Sequence, residues 1–152
     1  MVRKTRVQAA ATLLGLSLVL AGSSGYTGIA QLERAAGPDD ALPPGIVMAE
    51  DFDASSVRLP AVGGGARYFA GTTTDKSTAC VLVHNAGNEP DWFAGCGGAG
   101  ATGEIVEASG TNPSLTVVLV RDDADTRDRE ADGFTRLHHN ILVRGQAHAG
   151  TD

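Results

Sequence analysis

Thr78-Ala79-Cys80-Val81-Leu82-Val83-His84 is the stretch that decides the fold, because it predicts a strand that is apolar on both faces. Successive side chains of a strand point to opposite sides, so Val81 and Val83 share one face while Leu82 lies on the other. A strand with two apolar faces is typical of the middle of a sheet. We therefore expect a paired strand on each side of it.

The two neighbouring runs supply those partners. Ala66 to Gly71 precedes the central strand, and a polar turn joins the two into a predicted hairpin. Asp91 to Cys96 follows it after a turn that contains Asn, Gly and Pro. Antiparallel pairing of this last run with the central strand would bring Cys96 near Cys80.

Farther along the chain, short β-type runs continue, separated by Gly, Asn, Asp and Pro. They are Glu104 to Ser109, Leu115 to Val120, which is again apolar on both faces, and Phe134 to Arg144. The spacing within the last run would also suit a helix, and its alternation predicts that His139 faces inward with Leu137 and Ile141. The sequence thus predicts an all-β domain over residues 56–146, a single small antiparallel sheet or barrel-like fold of about six strands.

The N-terminus has the order of a targeting segment. Basic residues Arg3, Lys4 and Arg6 precede an uncharged apolar run from Val7 to Ala21, which small and polar residues follow. We interpret residues 1–30 as an apolar helix that is either a cleaved signal peptide or a retained membrane anchor, with the N-terminus cytoplasmic if it is retained. Ser23 occupies the position where a lipoprotein would need its lipidated cysteine. Residues 31–55 are interpreted as a linker and residues 147–152 as a tail.

Cys80 and Cys96 are the only two cysteines, and an even pair in an exported chain indicates one disulfide. A bridge across so short a loop would stabilise the domain by about 3 kcal/mol. Two other interpretations are weaker. A thiolate metal site would need two more ligands nearby, and a redox pair is normally spaced more closely.

Charge argues against one large class of partners. Three of the 12 basic residues lie ahead of the apolar run, so beyond residue 30 nine basic residues face all 18 acidic ones. Binding to nucleic acid needs clustered Lys and Arg to contact phosphates. We therefore expect no nucleic-acid partner.

His84, His139 and Trp92 are the candidate polar site. The two histidines could meet beside a carboxylate as a metal or acid–base site, although neither belongs to a regular ligand spacing. Trp92 lies on the same strand face as Cys96, where it would pack in the core or stack on a ligand. The carboxylates Glu104 and Glu107 are expected on opposite faces of their strand and so would not flank one substrate bond.

The chain resembles a group of small actinobacterial envelope proteins that have one N-terminal apolar segment, a tether and one domain with a cysteine pair. The similar positions are Ala41-Leu42-Pro43, Val57-Arg58-Leu59, Ala66-Arg67-Tyr68-Phe69-Ala70, Ala79-Cys80-Val81-Leu82-Val83, Trp92-Phe93-Ala94-Gly95-Cys96, Phe134 and Asn140-Ile141-Leu142-Val143. The group has no assigned activity, so the resemblance implies no catalytic residue. It does imply that members are often membrane-anchored.

Together these features predict an extracytoplasmic, non-enzymatic β-domain that contacts cell-envelope or membrane proteins and uses no cofactor and no metal. Two alternatives stay open. One is a small hydrolase or metal-dependent enzyme that uses His84 and His139, and the other is a ligand-binding module near Trp92.

Overall fold

The computed structural model describes residues 27–87, 91–111 and 114–145, and it is built almost entirely of strands. The all-β prediction is confirmed, with eight strands in two sheets where about six strands in one sheet were expected. The strands are β1 Phe52–Gly63, β2 Ala66–Thr73, β3 Thr78–Asn85, β4 Asp91–Gly98, β5 Glu104–Thr111, β6 Ser114–Val120, β7 Thr135–His138 and β8 Ile141–Gly145. One five-residue helix, α1 Arg127–Ala131, and two 3₁₀ turns, Ala30–Glu33 and Pro38–Asp40, complete the described elements.

Two strands account for the difference in number. β1 was missed because its first half, Phe52 to Ser56, is polar and its second half contains Pro60, so it shows no regular alternation. The run Phe134 to Arg144 divides into β7 and β8 because the chain turns at His139 and Asn140.

Each sheet has four antiparallel strands, in the orders β1-β2-β3-β4 and β5-β6-β8-β7. β3 pairs with β2 on one side and β4 on the other, and β6 pairs with β5 and β8, so both strands with two apolar faces are central as predicted. The inner faces of the two sheets form one core. Its fully buried side chains include Tyr68, Val81 and Val83 from the first sheet and Leu115, Val117, Leu119 and Ile141 from the second.

The two sheets meet closely where β4 passes β5. A Cβ placed on Gly97 would lie 2.0 Å from the carbonyl oxygen of Ile105, and one on Gly95 would lie 2.7 Å from the Cβ of Ala108. Only glycine allows so close an approach of two backbones. On the other side, where β1 passes β7, a Cβ on Gly63 would lie 3.4 Å from Leu137 Cδ1, an ordinary contact. We call these the closed corner and the open edge.

The segment ahead of β1 packs on the domain, whereas residues 31–55 were interpreted as a linker. Ile29 and Leu32 are buried in the shared core, and Leu42, Ile46 and Met48 pack on the outer face of the first sheet. Isolated apolar residues make these contacts, so the sequence shows no regular apolar repeat in this segment.

One buried carboxylate fixes that segment in place. Asp40 accepts hydrogen bonds from Arg34 Nη1 at 2.7 Å, from the Gly37 N–H at 2.6 Å and from the Leu59 N–H of β1 at 2.8 Å.

The targeting segment predicted at 1–30 lies outside the described residues up to position 26, as does the tail at 147–152. Among residues that the structure describes, no helix has the length and apolar character needed to cross a membrane.

Candidate functional site

The predicted disulfide is present. Cys80 and Cys96 are register partners on β3 and β4, with their Cα atoms 4.0 Å apart, and their sulfurs are bonded. Cys80 is buried and Cys96 is exposed. Both cysteines line a cavity of about 170 Å³, which Met48 and Phe52 also line. With both sulfurs bonded to each other, neither is available as a thiolate ligand or nucleophile.

His84 and Trp92 are cross-strand neighbours on the outer face of the first sheet. Trp92 is half-buried and packs with the apolar cluster around Phe69 and Leu82, which is the core-packing interpretation of this residue. The Nδ1 atom of His84 is buried, and it has no hydrogen-bond partner among the described residues. Trp92 does not line the cavity beside the disulfide.

His139 lies elsewhere and points outward, contrary to the predicted inward orientation. The chain reverses between β7 and β8, so the alternation of β7 does not extend through this residue. Its Nε2 donates a hydrogen bond to the carbonyl oxygen of Asp122 at 2.9 Å, and its side chain is exposed. Leu137, which was expected to face inward with it, is also partly exposed.

The two histidines are at opposite ends of the fold. Asp122 follows Arg121, which donates to the carbonyl of Ala99, and the Ala99 N–H in turn bonds to Ser77 at the start of β3. His84 is near the other end of β3, so it is separated from Ser77 by roughly 20 Å of extended strand. A shared metal ion would need bonds of about 2 Å to both rings. Across the described ranges, no group of three or more His, Cys, Asp or Glu residues could hold a metal ion.

Glu104 and Glu107 share one partner, whereas they were expected on opposite faces of β5. Arg129 donates to Glu104 and to Glu107 through different nitrogens, each at 2.7 Å. A register shift between Glu104 and Val106 is the physical reason, because one inserted residue turns the following side chains to the other face. Their charges are therefore used in an ion cluster that attaches α1 to β5.

The open edge carries an apolar groove of about 210 Å³. Tyr68 and Leu115 lie buried within it, and the edge residue Leu137 is 37% exposed beside it. Val62 of β1 is 68% exposed, but it lies on the opposite face of the strand from Ala61 and Gly63 and so points away from the groove. The groove is lined by Gly63, Gly64, Tyr68, Leu115, Thr135, Leu137, Val143 and Gly145.

Tyr68 gives this groove a polar group. Its side chain is almost completely buried, and its hydroxyl makes no hydrogen bond to any residue in the described ranges. Burial raises the pKa of the phenol, which keeps it protonated as a donor. Buried tyrosine hydroxyls usually have a partner, so a bound segment with a carbonyl group would complete this site. No local sequence signal indicates the groove, because its lining comes from five strands, β1, β2, β6, β7 and β8.

Fold and site together define a small all-β domain of two sheets, with one disulfide within the first sheet and an apolar groove along one edge. No family model, no curated protein and no solved structure matches the chain.

Proposed function

We propose that the chain is an extracytoplasmic, non-enzymatic domain that binds an extended apolar segment of another envelope protein in the groove of the open edge. The N-terminal segment would deliver it across the membrane, after which it would be either anchored or released. The cysteine pair supports this location, because disulfides in small domains are characteristic of oxidising compartments. The proposal includes membership in the small actinobacterial envelope proteins that the sequence resembles.

The observation that carries the proposal is the apolar side chain of Leu137, which lines the groove and is 37% exposed. The groove lies between two edge strands, β1 and β7, whose outer backbone groups are available to an added strand. Extended peptides bind sheet edges through main-chain hydrogen bonds, while side-chain pockets give specificity. Tyr68 would supply a directional hydrogen bond within such a pocket.

Site-specific photo-cross-linking in the native envelope tests this. A photo-reactive residue placed at position 137 should give one adduct of defined mass. The matched control is position 47, because Val47 is 78% exposed but does not line the groove. An excess of unlabelled wild-type domain should suppress the adduct, and an excess of the Leu137→Glu variant should not. Equal adducts from position 47, or none from position 137, would show the proposal to be wrong.

His84 and His139 do not support the alternative of a metal-dependent or acid–base enzyme, because no single substrate bond could contact both rings across the fold. A ligand-binding role at Trp92 is supported only by its position beside His84.

A further inference from the structure

The disulfide lies on the outer face of the first sheet, where the chain ahead of β1 stops covering that face. Side chains of the segment 42–48 pack on the apolar cluster there, and the cluster includes Trp92 and Ala94 of β4, which are both partly buried. Cys96 is the next residue of β4 on the same face, and it is exposed. The cover therefore extends along β4 up to the disulfide and leaves Cys96 accessible.

The surface beside Cys96 has room for another molecule. Gly98 follows Cys96 on the same face of β4, and a Cβ placed there would meet no other atom of the described residues within 4 Å. The cavity of about 170 Å³ that both cysteines line also has apolar side chains in its lining, among them Met48, Ala49 and Phe52. A thiol can thus approach Cys96 along the strand, while the cavity accepts a small apolar group next to the bond.

Cys80 offers no such access. It is 3% exposed and lies on β3, which has a paired strand on each side. Thiol–disulfide exchange requires a thiolate to reach one sulfur of the bond, and exposed disulfides are the labile ones. In the folded domain the reactive end of this bond is therefore Cys96.

We propose that Cys80–Cys96 is a site of thiol–disulfide exchange that is entered at Cys96, and that its partner is an envelope protein with a reactive dithiol. This goes beyond the binding of an extended segment at the open edge. It does not depend on that function either, because the cavity beside the disulfide and the groove share no lining residue.

The first step is attack by a thiolate of the partner on Sγ of Cys96. The bond between the two cysteines breaks, and its electron pair stays on Cys80, which takes a proton from water because burial in apolar surroundings disfavours a thiolate. The product is a mixed disulfide between Cys96 and the partner. Cys80 remains the register partner of Cys96 on the neighbouring strand, so it can attack Cys96 again and restore the original bond.

A second thiol on the partner prevents this return. Its thiolate attacks the partner's own sulfur in the mixed disulfide, and Cys96 leaves as an exposed, hydrated thiolate. The partner then holds an internal disulfide and the domain holds two thiols, so two electrons have passed from the partner to the domain. The same steps in reverse, with the partner's disulfide as oxidant, form Cys80–Cys96. A monothiol lacks the second step, which is why the partner is a dithiol.

Reduction of the purified protein by dithiothreitol tests whether the folded domain reacts. The reaction is quenched with acid at timed intervals, and mass spectrometry measures the reduced fraction. We expect a rate that does not change with urea below the unfolding transition. If only unfolded chains react, the rate follows the unfolded fraction and rises with the slope of global unfolding. That result would overturn the proposal.

Gly98→Leu tests the approach to Cys96 while the disulfide stays in place. The new side chain would stand beside Cys96, so reduction without urea should slow at least about tenfold. Gly100→Leu is the matched control, because a Cβ there also meets no other described atom within 4 Å and neither glycine has a positive φ. This control should be reduced at the wild-type rate. Equal rates for the two variants would refute entry at Cys96.

Single-cysteine variants identify the reactive sulfur directly. Cys80→Ser retains Cys96, and Cys96→Ser retains Cys80. With oxidised glutathione and no denaturant, the first should form its mixed disulfide at least about tenfold faster than the second. Circular dichroism establishes that both are folded, and the glycine variants give the answer if loss of the disulfide unfolds either one. Equal rates in two folded variants would contradict the proposal.

Discussion

The closed corner and the open edge are the two places where the sheets meet, and the sheets approach each other closely at the first but not at the second. At the closed corner β4 and β5 approach until only glycine fits, so this side of the core is sealed by backbone. At the open edge β1 and β7 remain far enough apart for a groove of about 210 Å³ lined with apolar side chains. The comparison teaches that stability and recognition are separated in this fold. Substitutions at the corner should affect folding, and substitutions at the edge should affect binding.

Gly97→Ala should have the largest effect on stability. The new Cβ would lie 2.0 Å from the carbonyl oxygen of Ile105, and backbone cannot move aside as a flexible side chain can. We expect a loss of about 3 kcal/mol or more in the free energy of unfolding, which lowers the melting temperature by roughly 10 °C or more. Thermal unfolding followed by circular dichroism measures this. A melting temperature within a few degrees of wild type would mean that the corner is not closed.

Reduction of Cys80–Cys96 should cost slightly less. The bond joins the two strands beside the closed corner and restricts the unfolded chain over a sequence separation of 16 residues, which corresponds to about 3 kcal/mol. Urea unfolding with and without reductant gives the value. The double variant Cys80→Ala/Cys96→Ala should behave like the reduced protein and should not respond to reductant. If reductant destabilises that variant equally, the effect does not come from the disulfide.

The closed corner was partly predictable from sequence, because Cys80, Leu82 and Cys96 follow the alternation of paired strands. The strand pairing, the disulfide and the central positions of β3 and β6 are confirmed. The open edge was not predictable in the same way. β1 lacks a regular alternation of apolar and polar residues. The chain reverses after β7, so the alternation that predicted an inward His139 does not extend to that residue. The groove depends on which strands of different sheets become neighbours, and local patterns do not contain that information.

Asp40→Asn tests what holds β1 at the open edge. Asp40 connects Arg34 to the Leu59 N–H, and it is buried while Arg34 is partly exposed. Charge-assisted hydrogen bonds contribute about 1.5–3 kcal/mol, and the exposure of Arg34 reduces this, so we expect a loss of about 2 kcal/mol near neutral pH. Urea unfolding measures it. The matched control is Asp123→Asn, because Asp123 is an exposed partner of Arg121. This variant should change stability little.

The same variant has a defined pH dependence. The hydrogen bond from Arg34 holds the pKa of Asp40 well below its usual range. A depressed folded-state pKa contributes stability that is fully present above the unfolded value of about 3.9 and is lost as pH falls toward the folded value. The stability difference between wild type and Asp40→Asn should therefore shrink below about pH 4. A difference that stays constant down to acid pH would exclude the charge on Asp40 as its source.

Gly63→Ala is the matched opposite of Gly97→Ala and should have the smallest effect. A Cβ at Gly63 would contact Leu137 at 3.4 Å, and the backbone there does not have a positive φ. Replacing Gly by Ala in such a conformation also restricts the unfolded chain, which stabilises a protein by about 0.4–1 kcal/mol. We expect a melting temperature equal to or slightly above that of wild type, together with weaker photo-cross-linking from position 137, because the added methyl group narrows the groove. If Gly63→Ala destabilises the domain as much as Gly97→Ala does, the two sides are equally closed, and recognition would have to lie elsewhere on the molecule.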